Sequence, residues 1–102
     1  MFYVIATLEV LSGSRQAFLA EFAKIVPLVR AEAGCLQYTP TIDADTSLSM
    51  QSRMGPDKVT VVEQWSSVEA LEAHGLAPHM QAHKERVKHL VCGREIRVLV
   101  AA

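Results

Sequence analysis

Residues 2–11 crowd β-branched and aromatic side chains together and end at Ser12-Gly13-Ser14, the pattern of a strand followed by a break, with Ser14 placed to cap a helix. The period then changes. From Arg15 to Ala33, Phe18, Leu19, Phe22, Ile25, Val26 and Val29 recur at three- and four-residue steps, and Arg15, Glu21, Lys24 and Arg30 fall largely elsewhere on the wheel, which predicts a long amphipathic helix. Pro27 lies inside it and predicts a kink or a tightened turn near Ala23 to Val26, and Gly34 predicts the stop. Cys35 to Ile42 reads as a second strand. Asp43 to Pro56 reads as a long polar loop with a short ladder at Leu48 to Ser52. Lys58 to Trp65 has the strongest strand composition in the chain. Ser66-Ser67-Val68-Glu69 reads as a capping box with Ser66 as N-cap, opening a short helix that Gly75 ends. Pro78 suits the first turn of a third helix running to about Val91, Gly93 stops it, and Arg94 to Val100 alternates as a last strand.

The order β-α-β-β-α-α-β predicts an α+β chain with a ferredoxin-like antiparallel sheet carrying its helices on one face, as one domain over residues 1–102. In the first strand Val4, Ala6, Leu8 and Val10 form one apolar face. Tyr3, Ile5 and Thr7 leave the opposite face only partly polar, and Val62 opposes Val59, Val61 and Trp65 in the same way. A sheet apolar on both sides is expected to cover its second face with another copy, as a sheet-to-sheet homodimer.

Composition narrows the class. With 102 residues and 50% hydrophobic content the chain can bury a real core without disulfides or a structural metal. Ten Lys plus Arg against eleven Asp plus Glu give a net charge of −1 with no basic block, which argues against nucleic acid or an anionic membrane as partner. The two cysteines, Cys35 and Cys92, form no CxxC pair and read as small hydrophobes in a reducing, cytoplasmic setting. The apolar opening lacks a basic leader and falls short of the ~20 residues a spanning helix needs.

Three runs carry a family likeness: Val29-Arg30-Ala31-Glu32-Ala33-Gly34-Cys35-Leu36-Gln37-Tyr38, Val62-Glu63-Gln64-Trp65 continuing through Ser66-Ser67-Val68-Glu69-Ala70-Leu71-Glu72-Ala73-His74, and Pro78-His79-Met80. In this order, over nearly the whole chain, they resemble the antibiotic biosynthesis monooxygenase family. The resemblance implies a dimeric α/β barrel and, for some members, oxygenation of quinols or polyketide aromatics by molecular oxygen with neither metal nor flavin. Haem-degrading members of the superfamily use a first-strand asparagine, and Ala6, Thr7 and Leu8 occupy that region here, so the resemblance does not extend to haem degradation.

Oxygenation without a cofactor requires a substrate that supplies its own electrons, a water-poor pocket, a partner for a phenolic proton and a surface that orients a ring. Trp65 can orient an aromatic substrate by stacking or anchor the core between sheet and helix. His74 and His83 are the candidate bases, His74 alternatively serving only as a helix-terminal residue. His79 and His83, four apart, share a helix face, yet no third ligand accompanies them and no metal site is expected. Tyr38, Arg86, Met80 and His79 are candidate substrate-binding residues, with packing for Tyr38 and a solvated face shared with Glu85 and Lys88 for Arg86 as the plainer alternatives. Met50 and Met54 are further candidates for an adaptable lining or simple gap filling. Glu63 lies on the same strand face as Trp65 and is expected to be structurally paired, and His89 is expected at the surface. The expected substrate is a small aromatic or quinol-like molecule held between sheet and helices. A non-catalytic binding or stress-response dimer and a small-carbonyl isomerase are the alternatives, separated from oxygenation by how apolar the cavity is.

Overall fold

Strand alternation decides which side of the sheet the helices cover. In the computed structural model, which describes residues 1–102, the elements are β1 (Phe2–Val10), α1 (Arg15–Arg30), β2 (Cys35–Thr41), β3 (Lys58–Trp65), α2 (Val68–Leu76), α3 (Pro78–Val87) and β4 (Val91–Leu99). The four strands form one antiparallel sheet in the order β2-β3-β1-β4, the ferredoxin-like α+β arrangement. Val4 pairs with Glu63, Ala6 with Val61 and Leu8 with Val59, so these positions share the helix-covered side. Phe18, Phe22, Ile25 and Val29 of α1 are buried against it, together with Val4, Val59, Val61 and Trp65. Each side chain so buried stabilises the fold by about 1.5–3 kcal/mol, which makes this strip the main source of stability.

The opposite side carries Tyr3, Ile5 and Thr7 beside Thr60, Val62 and Gln64, with Thr39 and Thr41 on β2. It mixes apolar groups with threonine hydroxyls, and no helix of the chain covers it.

Several boundaries depart from expectation, each for a local reason. Ser67, not Ser66, caps α2, its hydroxyl accepting from the Ala70 N–H at 3.1 Å. Gly75 lies within α2. The stop comes two residues later, where Pro78 forces the preceding Ala77 out of the helical region (φ −60°, ψ 138°). Helix α3 ends at Val87, short of Val91, because the next residues turn back into the sheet, with Leu90 N–H bonding Val87 O at 2.8 Å and Leu11 N–H bonding Leu90 O at 2.9 Å. Gly93 is therefore a strand residue of β4 and not a helix stop. Helix α1 runs unbroken through Pro27 to Arg30. No ladder forms at Leu48 to Ser52. That loop is tied to itself instead, through Asp43, whose carboxylate accepts from the Met54 and Gly55 N–H groups, and Arg53, which donates to Ala44 O and Thr46 O.

The turn after α1 does more than reverse the chain. Gly34 has φ +83°, and a Cβ there would lie 2.5 Å from the Ala70 Cβ and 2.7 Å from the Ser66 hydroxyl. The missing side chain lets the turn press against the start of α2, and the Ser66 N–H bonds Gly34 O at 2.9 Å. Glu32, two residues earlier, is thereby brought beside α2 and α3.

Candidate functional site

Between the sheet and the helices lies a cavity of about 490 Å³, 12 of whose 19 lining residues are hydrophobic. Strand β1 supplies its floor through Val4, Ala6 and Leu8, α1 contributes Phe18 and Phe22, and α3 contributes Met80 and Val87. A space of this size and lining fits a small planar aromatic molecule.

Four polar side chains face it from the inner end: Tyr38, Glu63, His74 and His83. Glu63 is 5% exposed and shares the helix side of β3 with Trp65. The Trp65 indole N–H donates to its Oε1 at 2.9 Å, and Oε2 has no partner within the chain. Burial raises the Glu63 carboxyl to about 7, with the Trp65 hydrogen bond opposing the shift and the charge of Glu32 adding to it. A carboxyl in this range exchanges a proton near neutral pH.

His83 is set between the rings of Phe18 and Phe22, edge-on to both, with centroids 6.0 and 5.5 Å away. Its Nδ1 is buried with no hydrogen-bond partner. Burial, and then the positive charge of Arg86, depress its pKa to about 4, so the ring is neutral at pH 7. Tyr38 stacks on Phe22 at 5.6 Å, and burial holds its phenol well above the usual tyrosine range, keeping the hydroxyl as a proton donor.

His74 is fixed from behind. Its Nδ1 lies 3.0 and 3.2 Å from the two carboxylate oxygens of Glu32, which places the ring proton on Nδ1 and leaves Nε2 as acceptor. The same carboxylate meets His79 Nε2 at 2.6 Å. One carboxylate thus grips two imidazoles, and the three side chains form a hydrogen-bonded cluster, not a cage around a shared centre.

Of the sequence-derived candidates, the structure brings His74, His83, Tyr38 and Met80 to one cavity and places the others elsewhere. Trp65 does not offer a face to a ligand. It is fully buried at the end of β3, lies 4.7 Å from the His74 ring between the centroids, and reaches the cavity only through its bond to Glu63. His79 turns to Glu32, so it shares no ligand face with His83. Arg86 points away to Glu21 at 3.2 Å on an exposed helix face. Met50 and Met54 are exposed in a loop that contributes nothing to the cavity wall. His89 is exposed, as expected.

Glu32 escaped the sequence reading as a site residue because it stands 42 and 47 positions from the histidines it holds, and only the Glu-Ala-Gly turn pointed to it. Glu63 is paired as expected through Oε1, and its Oε2 is left free beside the cavity.

The fold defines a class: small ferredoxin-like proteins with one antiparallel sheet covered on one side by helices, here with an apolar cavity between the two. Comparison with known proteins places the chain within it. The family model for antibiotic biosynthesis monooxygenase matches residues 1–86. A protein of Escherichia coli K12 named probable quinol monooxygenase YgiN is 46% identical over 101 residues, covering 97% of this chain and 96% of the relative. Among solved structures, PA3566 from Pseudomonas aeruginosa is similar at 29% identity and a TM-score of 0.81, covering 99% of this chain and 93% of the other. A putative antibiotic biosynthesis monooxygenase from Caulobacter crescentus follows at 26% and 0.82, covering 99% and 89%. The chain belongs to the antibiotic biosynthesis monooxygenase family. No helix is long and apolar enough to cross a membrane.

Proposed function

We propose that this protein is a monooxygenase that inserts oxygen into a small quinol or naphthol-like aromatic, using electrons from the substrate itself. The observation that carries the reading is the apolar cavity whose only inner polar groups are the unpartnered atoms of Glu63, His83, His74 and Tyr38. Its apolar lining weighs against a small-carbonyl isomerase, whose substrate would call for many converging donors. The name of the Escherichia coli relative supports the same substrate class.

In this account the ring lies between β1 and α3 with a hydroxyl directed at Glu63 Oε2, which removes its proton. His74 Nε2 and His83 Nδ1 accept hydrogen bonds from the hydroxyls, and the Tyr38 hydroxyl donates one to the developing phenolate. The electron-rich ring then reduces dioxygen to a ring-bound hydroperoxide. Loss of water leaves one oxygen atom on the ring as a carbonyl and the other in the water, so a naphthol and O₂ give a naphthoquinone and H₂O. The dry wall limits side reactions of the anion. Neither metal nor flavin has a step in this scheme.

Oxygen uptake with a panel of hydroquinones and naphthols, with ¹⁸O₂ tracing of the product, tests the proposal. One labelled atom per product is expected, with a rate at least 100-fold lower in Glu63→Gln and at least tenfold lower in His74→Ala or His83→Ala. Uptake no faster than autoxidation, or equal rates in the wild type and all three variants, overturns it. The uncovered side of the sheet supports a homodimer as the working unit, and sedimentation is expected to show one. A monomer at micromolar concentration contradicts that part.

A further inference from the structure

The cavity has a second polar end. Where it opens between α3 and β4 its wall changes from apolar to basic, with Lys84 and Lys88 on α3 and Arg94 on β4 among the lining residues. Lys88 is 2.6 Å from Glu85, whereas Lys84 and Arg94 take part in no ion pair or hydrogen bond of the chain. In a protein of net charge −1, two unpaired cations at the rim of an apolar cavity form a local field of the opposite sign to the whole.

The inner end has the reverse character. Glu63, titrating at about 7, repels an anion, and the buried His83 Nδ1 lacks a partner that a hydroxyl would supply. The two ends are also a molecule's length apart. Glu63 on β3 is level with Val4, and Arg94 on β4 is level with Leu8. The backbones are thus roughly 13 Å apart along the strands and roughly 10 Å across two strand spacings, a span that inward-reaching side chains shorten to that of a two-ring aromatic.

We propose that the substrate carries a carboxylate, bound at the mouth by Lys84 and Arg94 with Lys88 beside them, while its hydroxylated ring end enters toward Glu63 and His83. This rests on the cavity being the substrate site and adds to it a polarity and a direction: acid end outward, hydroxyl end inward. The cations supply attraction on approach and orientation once bound, and take no part in the chemistry.

Equilibrium binding of 6-hydroxy-2-naphthoate and of 2-naphthol, measured by calorimetry at low ionic strength, separates this proposal from the one it rests on. The two probes share a ring and a hydroxyl and differ in the carboxylate. The naphthoate is expected to bind at least tenfold more tightly, with an advantage that shrinks as salt rises. In the Lys84→Gln/Arg94→Gln double variant, which alters only exposed side chains, that advantage is expected to vanish while 2-naphthol affinity is unchanged. Equal binding of the two probes by the wild type, or an advantage that survives in the double variant, overturns the carboxylate proposal and leaves the aromatic cavity standing. Failure of both probes to bind removes the cavity as an aromatic site, and the carboxylate proposal with it.

Discussion

The two ends of the space under the helices are built from the same kinds of residue and treated in opposite ways. At the Trp65 end the packing contacts are answered: the indole by Glu63 Oε1, His74 Nδ1 and His79 Nε2 by Glu32, the Gly34 carbonyl by the Ser66 amide. Where the cavity begins, Glu63 Oε2 and the buried His83 Nδ1 have no partner in the chain, and at its mouth Lys84 and Arg94 lack counter-charges. An unanswered buried polar atom costs about 1–3 kcal/mol, so a fold keeps one where something outside the chain supplies the partner. The contrast teaches which imidazole nitrogens are held by the chain, His74 Nδ1 and His79 Nε2, and which is left without a partner, His83 Nδ1, a distinction that residue type alone does not make.

Removing the anchor of the satisfied end should have the largest effect on stability. Trp65→Ala is expected to cost about 3–5 kcal/mol, because it opens a cavity in the core and strips Glu63 of its indole partner, and urea unfolding checks it. A loss under about 1 kcal/mol would mean that this end is not the anchor.

Glu63 links the two ends, and its titration should separate stability from activity. Its folded-state pKa, about 7, lies above the ordinary 4.5, so the folded protein prefers the protonated form. Stability is therefore greatest below pH 4.5 as far as this group is concerned, and falls as pH rises toward 7, by up to about 3 kcal/mol. Activity should rise over the upper part of the same interval as the carboxylate becomes available to take a proton. Glu63→Gln should abolish both trends, and unfolding midpoints with rates measured from pH 5 to 8.5 would show it.

His83 should behave in the opposite sense. Its folded pKa of about 4 lies below the ordinary 6.5, so its contribution is intact above pH 6.5 and is lost as pH falls toward 4. His83→Phe is expected to hold or raise stability at pH 7 by about 1 kcal/mol, since it replaces an unpartnered polar ring among phenylalanines, and to lose ligand binding. A loss of several kcal/mol in that variant would show that His83 belongs to the satisfied end after all. The smallest effect is expected at Arg86, whose exposed pair with Glu21 should be worth less than about 1 kcal/mol and whose replacement by Ala should leave activity intact.

Much of this layout is legible along the chain. The seven elements follow from hydrophobic period and turn chemistry, and the α1 residues Phe18, Phe22, Ile25 and Val29 are buried as their spacing requires. Glycine misleads at Gly75 and Gly93 because a glycine permits a stop without enforcing one. Pro78 ends α2, and the return of Val91 to the sheet fixes the start of β4. The cavity's composition was within reach from strand parity, which puts Glu63 on the helix side. The role of Trp65 was not, because a side chain at a strand end faces ligand or core according to where the next helix lands. Glu32 is the clearest limit: its meeting with His74 and His79 depends on how closely the Gly34 turn approaches Ala70, a distance no local pattern encodes.

The central claim is that ligand enters at the unanswered end. Long-range ¹H–¹⁵N correlation of the four imidazoles during titration with 2-naphthol tests it most directly. A large shift at His83 Nδ1, a smaller one at His74 and none at His79 or His89 is the predicted result; shifts confined to His79 or His89, or an unmoved His83 at saturation, would contradict the account.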